Sequence, residues 1–340
     1  MKIAIYHREG SFSNRWITYC NKEGIDYKIV DVYQDNIIQQ VSDCNAFMWH
    51  FNHINEKDTL FAKQLLFALE SAGKIVYPSI NLAWHFDDKL AQKYLLEAID
   101  APLITSKIFY RKKDALAGMK GMNFPIVFKQ RGGAGSQNVK LIKSKSSAIR
   151  NINKAFGKGF PQYNARGVLK DRFQKYRNGD DTLLGVIKGA IRLIYPTKFS
   201  KLKGNEKGYI YFQKFIPNNV SDTRIIVIGN RAFGVKRMVR ENDFRASGSG
   251  IKKYEKEEID RRSIKIAFEI AEKLSFDCIG FDFVYDENNT PLIVEMGYGF
   301  AIEFYDPCPG YWDKQLNWHD GFFIPQEWMI DDIIKKIIIT

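Results

Sequence analysis

Short apolar runs alternate with longer amphipathic stretches over the first 85 or so residues. KIAIY (2–6), YKIVDV (27–32), AFMWH (46–50) and KIVYP (74–78) predict strands. Residues 11–23, 35–41 and 56–72 predict helices. Strand–helix alternation at this spacing predicts a parallel α/β domain. The pattern then changes. A helix is predicted over residues 87–98, a strand at Leu103-Ile104, a helix near residues 113–119, and strand, glycine-rich turn and strand over residues 124–142. Residues 209–217, 221–229 and 231–240 read as three further strands. In residues 256–274, Ile259, Ile264, Ile266, Ala267, Ile270, Ala271 and Leu274 gather near one face, as a packed helix requires. Residues 278–300 read as two strands around the turn Asp-Glu-Asn-Asn-Thr-Pro, and residues 331–339 as a closing helix.

With 340 residues, 45% of them apolar and 14% aromatic, the chain has material for two or three domains. Its longest apolar runs fall short of the ~20 residues a spanning helix needs. The N-terminus reaches charge too soon for a secretory signal. Cys20, Cys44, Cys278 and Cys308 are scattered without a C-x-x-C pair, so a cytoplasmic protein without zinc or disulfides is expected. The net charge of +12 is concentrated. Residues 140–210 hold 17 Lys or Arg against 4 acids, a net of +13. This basic insertion implies contact with an anionic surface or ligand, unless it is simply a solvated segment. Within it, LLGVIKGAIRLI (183–194) carries Lys188 and Arg192 at i, i+4. The expected reading is a helix packed on its own domain, with an interfacial helix as the alternative.

Two stretches carry candidate chemistry. A hairpin centred on Asn288-Asn289 sets Asp282 opposite Glu295, with Val284 and Ile293 on their face and Phe281, Phe283, Val294 and Met296 on the other. Facing carboxylates among apolar neighbours repel, and a hard divalent cation would remove the repulsion. The plain alternative is a solvent-facing hairpin. In the second stretch, Lys129 ends a strand before Gly132, Gly133, Ala134, Gly135 and Ser136. Glycines let backbone N–H groups cradle phosphate oxygens, and the lysine adds a cation. A flexible β-turn is the alternative, since no Walker pattern follows. In the α/β domain, His7-Arg8 and His50, Asn52 and His53 lie at strand ends, where parallel sheets bind ligands. Ordinary loop surface is the expected role of these histidines. No Gly-x-Gly-x-x-Gly follows the first strand, which disfavours a dinucleotide.

The order of Lys89, Lys129 with its glycine turn, Gln213-Lys214-Phe215-Ile216, Asp222-Thr223-Arg224, Asp243-Phe244-Arg245, Asp282 and Glu295 resembles the ATP-grasp superfamily. It looks most like the carboxylate–amine ligases of the glutamate-ligase and glutathione-synthetase type. The resemblance spans roughly residues 87–300, interrupted by the basic insertion. It implies an α/β N-terminal domain (1–86), a central ATP-grasp lobe (87–145 and 208–216) around the insertion (146–207), and a C-terminal α+β ATP-grasp lobe (217–340). ATP would lie between two antiparallel sheets. By resemblance, Lys89 and Lys129 contact ATP phosphates or the adenine edge, and Gly132, Gly133 and Ser136 line the phosphates. Gln213, Lys214, Phe215 and Ile216 form the adenine hinge, and Asp222 meets the ribose. Asp282 and Glu295 hold one or two Mg²⁺ ions. Arg237 and Arg245 stabilise the acyl-phosphate and the tetrahedral adduct.

The implied reaction joins a carboxylate to an amine through an acyl-phosphate, releasing ADP and phosphate. Charge on the basic segment suggests an acidic glycan precursor or a small acid as acceptor. The chain departs from the family pattern twice. Gly297 stands where Asn usually follows the metal-binding Glu by two residues, and Phe244-Arg245-Ala246-Ser247 replaces Phe-Arg-Ser-Asn. The aromatic stretch 303–328 would either line an acceptor pocket or pack as a C-terminal wrap. A small-molecule kinase and a non-catalytic ATP-binding module are the alternative functions. Nucleic-acid binding is disfavoured, because the basic segment shows no recognised module.

Overall fold

Four short strands, each followed by a helix, begin the chain in the computed structural model, which describes residues 1–52, 55–133, 138–162, 165–177, 182–195, 204–239 and 251–339. They are β1 (Ile3–Tyr6), α1 (Phe12–Glu23), β2 (Tyr27–Val30), α2 (Ile37–Gln40), β3 (Ala46–Met48), α3 (Asp58–Ser71), β4 (Ile75–Tyr77) and α4 (Ile80–Ala83). The strands pair in parallel in the order β2-β1-β3-β4, as the alternation predicted. Helix α1 starts at Ser11, whose N–H donates to Asn14 Oδ1 at 3.2 Å, and it buries Phe12, Trp16 and Cys20.

The chain divides into two units: Asp87–Asn218, and Met1–Phe86 together with Asn219–Thr340. The first contains α5 (Lys89–Ala98), β5 (Ser106–Phe109), α6 (Lys112–Gly118), β6 (Ile126–Lys129), β7 (Val139–Ile142), α7 (Lys145–Ala155), β8 (Phe160–Pro161), α8 (Ala165–Arg177), α9 (Leu183–Ile194), β9 (Asn205–Glu206) and β10 (Ile210–Lys214). Its antiparallel sheet runs β5-β10-β6-β7. The strand expected at Leu103-Ile104 starts instead at Ser106, where residues 106–109 find a partner in β10. Ile126, Phe128, Ile142, Ile210 and Phe212 form the core of this unit with Ala148, Ile152 and Ala155 of α7. Helix α7, counted from its charge as part of the basic insertion, is therefore built into the core. Its alanine–isoleucine stripe faces that core, Lys145 is exposed, and Lys154 Nζ lies over the ring of Phe160 at 4.7 Å. Helices α8 and α9 pack on each other. Helix α9 packs within its own unit as expected, but it turns Gly185 and Gly189 inward and leaves Leu184, Ile187 and Ile191 exposed.

The remainder of the other unit comprises β11 (Ser221–Ile228), β12 (Arg231–Met238), β13 (Lys252–Lys253), α10 (Arg261–Lys273), β14 (Cys278–Tyr285), β15 (Pro291–Gly297), β16 (Gly310–Asp313), β17 (Trp318–Asp320) and α11 (Pro325–Ile339). Its antiparallel sheet runs β15-β14-β11-β12-β16-β17, with β13 on β12. Side chains alternate between faces along each strand. Ile226 and Ile228, Phe233 and Val235, and Cys278 share one core with Ile3, Ile5, Phe12 and Trp16 of the N-terminal segment. Helix α10 packs against β11 and β14. Tyr305, Phe323 and Trp328 join that shared core, and Phe323 stacks on Trp328 with centroids 4.7 Å apart. Of the two readings of the aromatic tail, the structure shows packing. Among the described residues, no helix is long and apolar enough to cross a membrane.

Candidate functional site

Four strands of the larger sheet carry a row of charges on the face that, further along, enters the shared core. Register places Asp222 opposite Arg237, Arg224 opposite Asp282, and Asp282 opposite Glu295. The Asp282–Glu295 pairing follows from the symmetric turn. The expected face beyond it does not. A bulge between Asp282 and Phe283 pairs Phe283 with Ile293 and Val284 with Leu292. Val294 is the extra residue, so Ile293 turns into the core beside Phe283 and Val294 does not.

The neighbours of Asp282 on this face are arginines, not the apolar groups assumed from the sequence. Arg224 Nε and Nη2 donate to Asp282 Oδ1 and Oδ2 at 2.5 and 2.9 Å. Arg237 Nε and Nη2 donate to Asp222 at 2.7 and 2.5 Å, and Nη2 also lies 3.0 Å from Asp282 Oδ2. Burial acts to raise the Asp282 carboxyl, but the two guanidiniums outweigh it and hold it at about 2. Burial, then the charge on Asp282, pushes Asp222 up to about 6. Burial would lower both arginines; the carboxylates, Asp282 foremost, raise them above their ordinary value. The two acids, Asp222 and Asp282, pair with the two guanidiniums, and Glu295 stands opposite Asp282 on the neighbouring strand. Arg224 entered the sequence reading only within the Asp222-Thr223-Arg224 motif and was given no role, although its position two residues after Asp222 put both on one strand face.

The described residues hold no cluster of three or more His, Cys, Asp or Glu able to hold a metal. What Asp282 and Glu295 offer is two hard oxygen donors on adjacent strands. That set fits Mg²⁺, which is commonly held by one or two carboxylates plus phosphates and water. It does not fit an all-protein cage. A side chain at Gly297, two residues along on the face of Glu295, would meet nothing within 4 Å among the described residues, where the family's third donor would stand.

In the other unit, the sheet face opposite the core carries Lys129, Tyr211, Gln213 and Ser106, paired through Tyr211–Lys129 and Gln213–Ser106. Lys129 and Gln213 are each 3% exposed. Gln213 Nε2 and Ser106 Oγ are buried without a hydrogen-bond partner. A buried polar group left so costs roughly 1–3 kcal/mol, which a polar ligand would recover. The N–H of Lys214 donates to Thr105 O at 2.8 Å, and Phe215 and Ile216 follow at the strand end. The described part of the glycine turn is closed on an internal anion. Gly133, at φ +124°, donates its N–H to Asp87 Oδ1 at 2.7 Å, and Lys89 Nζ donates to Gly133 O at 2.9 Å. A Cβ on Gly132 would sit 2.8 Å from Asp87 Oδ2. Ser136 and Arg245, with Asp243, Phe244, Ala246 and Ser247, lie outside the described residues, as does His53.

At the strand ends of the N-terminal sheet, His7 is exposed as expected, whereas His50 is not loop surface. His50 is buried and stacked on Phe12 at 3.6 Å between centroids. Its Nδ1 accepts from the N–H of Phe12 at 3.2 Å, and Ser11 Oγ lies 3.1 Å away. Burial, then the nearby Arg8, lowers His50 to about 3.

Comparison with known proteins bears on the fold that carries these residues. The family described as RimK-like ATP-grasp domain matches residues 196–304. No curated protein matches the chain in sequence. Among solved structures, the chain is similar to a RimK domain ATP-grasp protein from Sphaerobacter thermophilus, at 15% identity and a TM-score of 0.60, covering 98% of this chain and 99% of that one. It is similar to the D-alanine–D-alanine ligase of Bacillus anthracis complexed with ATP, at 11% identity and a TM-score of 0.57, covering 99% and 98%. The biotin carboxylase domain of the Hydrogenobacter thermophilus 2-oxoglutarate carboxylase, in complex with MgADP, aligns at 13% identity and a TM-score of 0.60, covering 96% and 68%.

Proposed function

For this chain, which has the ATP-grasp fold, we propose the activity of an ATP-dependent ligase that joins a carboxylate to an amine through an acyl-phosphate. The observation that carries the reading is the charged row Asp222–Arg237–Asp282–Arg224 with Glu295 facing Asp282. Row and fold together match what phosphoryl transfer from ATP requires: cations for the transferring group and carboxylates for Mg²⁺.

In the proposed reaction, Asp282 and Glu295 hold Mg²⁺, which when bound neutralises charge on the phosphates. Arg237 and Arg224 are charged throughout and are held on the strands by their carboxylates. When a triphosphate arrives, they exchange part of that pairing for phosphate oxygens as the substrate carboxylate attacks the γ-phosphorus. Arg245 assists at the acyl-phosphate and the adduct. Both oxygens of Asp222 are spent on Arg237, so Asp222 is assigned to orienting that guanidinium in place of the ribose contact. Lys129 and Lys89 face the phosphates with Gly132, Gly133 and Ser136, once Asp87 yields the N–H of Gly133. Gln213 donates its orphaned amide N–H to the nucleotide, and Lys214, Phe215 and Ile216 border the adenine. An amine then displaces phosphate. Positioning and electrostatics supply the catalysis, and no protein nucleophile takes part. The substrate acid is a small carboxylate. Of the 17 cations that suggested an acidic glycan, seven lie on α8 and α9, which are not among the residues assigned to substrates. The reaction is placed in the cytoplasm, in keeping with the free, buried cysteines.

The test is phosphate release from ATP and Mg²⁺ across a panel of acids and amines. Release that depends on both partners is expected. ADP formed together with a phosphoester and no free phosphate identifies a kinase and overturns the proposal.

A further inference from the structure

We propose that α8 and α9 form a docking site for an anionic phospholipid surface, with a phosphate headgroup in a basic cleft and acyl chains along the exposed face of α9. The observations lie within one unit and do not depend on the ligase reading. An ordinary surface helix turns its apolar stripe inward and its charges outward. Helix α9 does the reverse. Its smallest residues make the contact with α8: a Cβ on Gly189 would lie 3.2 Å from both Arg172 Cδ and Leu169 Cδ1, and Arg172 Nη1 donates to Gly185 O at 2.8 Å. Its large residues face solvent: Leu184 is 67% exposed, Ile187 47% and Ile191 49%. At 3.6 residues per turn, these three fall within an arc of about 60°. Lys188 and Arg192 border that arc on the side leading to the glycine seam. No acid occurs in Leu183–Ile194.

The cleft lies at this border. It has a volume of about 300 Å³ and is lined by Arg172, Lys188, Gly189, Ile191 and Arg192. Three cations around an opening with an isoleucine at its edge suit a phosphate carried on an apolar tail. Free phosphate or nucleic acid would pair with the cations yet leave the arc of leucine and isoleucine in water. The apolar arc and the flanking cations are the two components of interfacial helix binding. The net of +13 over residues 140–210 draws the same segment to an anionic leaflet.

The test is co-sedimentation of the full chain with vesicles of equimolar phosphatidylglycerol and phosphatidylcholine, against pure phosphatidylcholine, at about 0.1 M salt. Binding to the anionic vesicles alone is expected. Lys188→Ala with Arg192→Ala should weaken it about 25-fold, roughly fivefold per charge. Ile187→Ser with Ile191→Ser should weaken it at least ~10-fold. Both variants should retain the parent's thermal unfolding, which excludes collapse of the helix pair as the cause. Absence of binding to anionic vesicles, or equal binding to both vesicle types, overturns the proposal. So does polyglutamate binding as tight as vesicle binding and unaffected by the isoleucine substitutions, which assigns the face to a soluble acidic partner.

Discussion

Asp282 and Glu295 sit opposite each other on β14 and β15, yet their surroundings differ, and substitutions should separate them. Asp282 neutralises Arg224 and shares Arg237 with Asp222; removing it takes from the partly buried Arg224 guanidinium the carboxylate that it grips. Asp282→Ala should therefore cost about 3 kcal/mol of stability, read from urea denaturation. Glu295→Gln keeps the side chain's size but removes its charge, and should lower phosphate release at least ~100-fold. Phosphate release unchanged by Glu295→Gln would remove Glu295 from the ion site. His50 gives the pH dependence. Its folded value near 3 lies below the ordinary 6.5, so between those values the unfolded chain binds the extra proton. The stability it contributes is full above about pH 6.5 and is lost as pH falls toward 3. The slope approaches on the order of 1 kcal/mol per pH unit, and His50→Asn should flatten it in unfolding curves measured across that range. The sequence showed which acids face each other, because turn composition fixes a hairpin's register. It did not show Arg224 beside Asp282 or His50 under Phe12. Those contacts depend on β14 pairing with β11 and on α1 crossing the end of β3, which are non-local events.

Elements were legible where periodicity and packing agreed. The four N-terminal strands, α1, α3 and α10 fall close to where alternation and apolar spacing set them. They failed where a single residue changes the geometry. The bulge at Val294 reverses the face of Ile293, and the glycines of α9 let its small side, not its apolar side, make the contact. The bulge has a functional side. Glu295 and Gly297 lie between it and the strand end, on the Asp282 face, and Gly297 has open space above its Cα. Gly297→Asn therefore adds an oxygen donor without a clash, at a strand position where glycine is entropically costly. The expected outcome is half-maximal phosphate release at a several-fold lower Mg²⁺ concentration, with stability unchanged or slightly raised. A Mg²⁺ titration of the variant checks it, and an unchanged midpoint would remove position 297 from the ion's surroundings.

At the scale of the whole molecule, chain order and core membership disagree. Sequence periodicity sets off residues 1–86 as a domain, but their helix α1 is completed by the last helix of the chain. Phe12, Trp16 and Cys20 share a core with Trp328, Met329 and Ile330 of α11. Arg15 makes a two-pronged ion pair with Asp306 at 2.7 and 2.6 Å, Tyr19 donates to Asp331 at 2.8 Å, and Tyr77 donates to Met329 Sδ. Residues 1–86 alone would expose that apolar face, and a four-stranded sheet of this size buries too little elsewhere to offset it. Residues 87–218 have a core of their own, with β6, β7 and β10 closed by α7 and Phe160. Expressed separately, the 87–218 fragment should unfold cooperatively in urea. The 1–86 fragment should show no cooperative transition and should bind a hydrophobic dye, until it is co-expressed with residues 219–340. A cooperative transition from 1–86 by itself would show that α1 does not need α11, and that the two segments dock as finished domains instead of folding around one core.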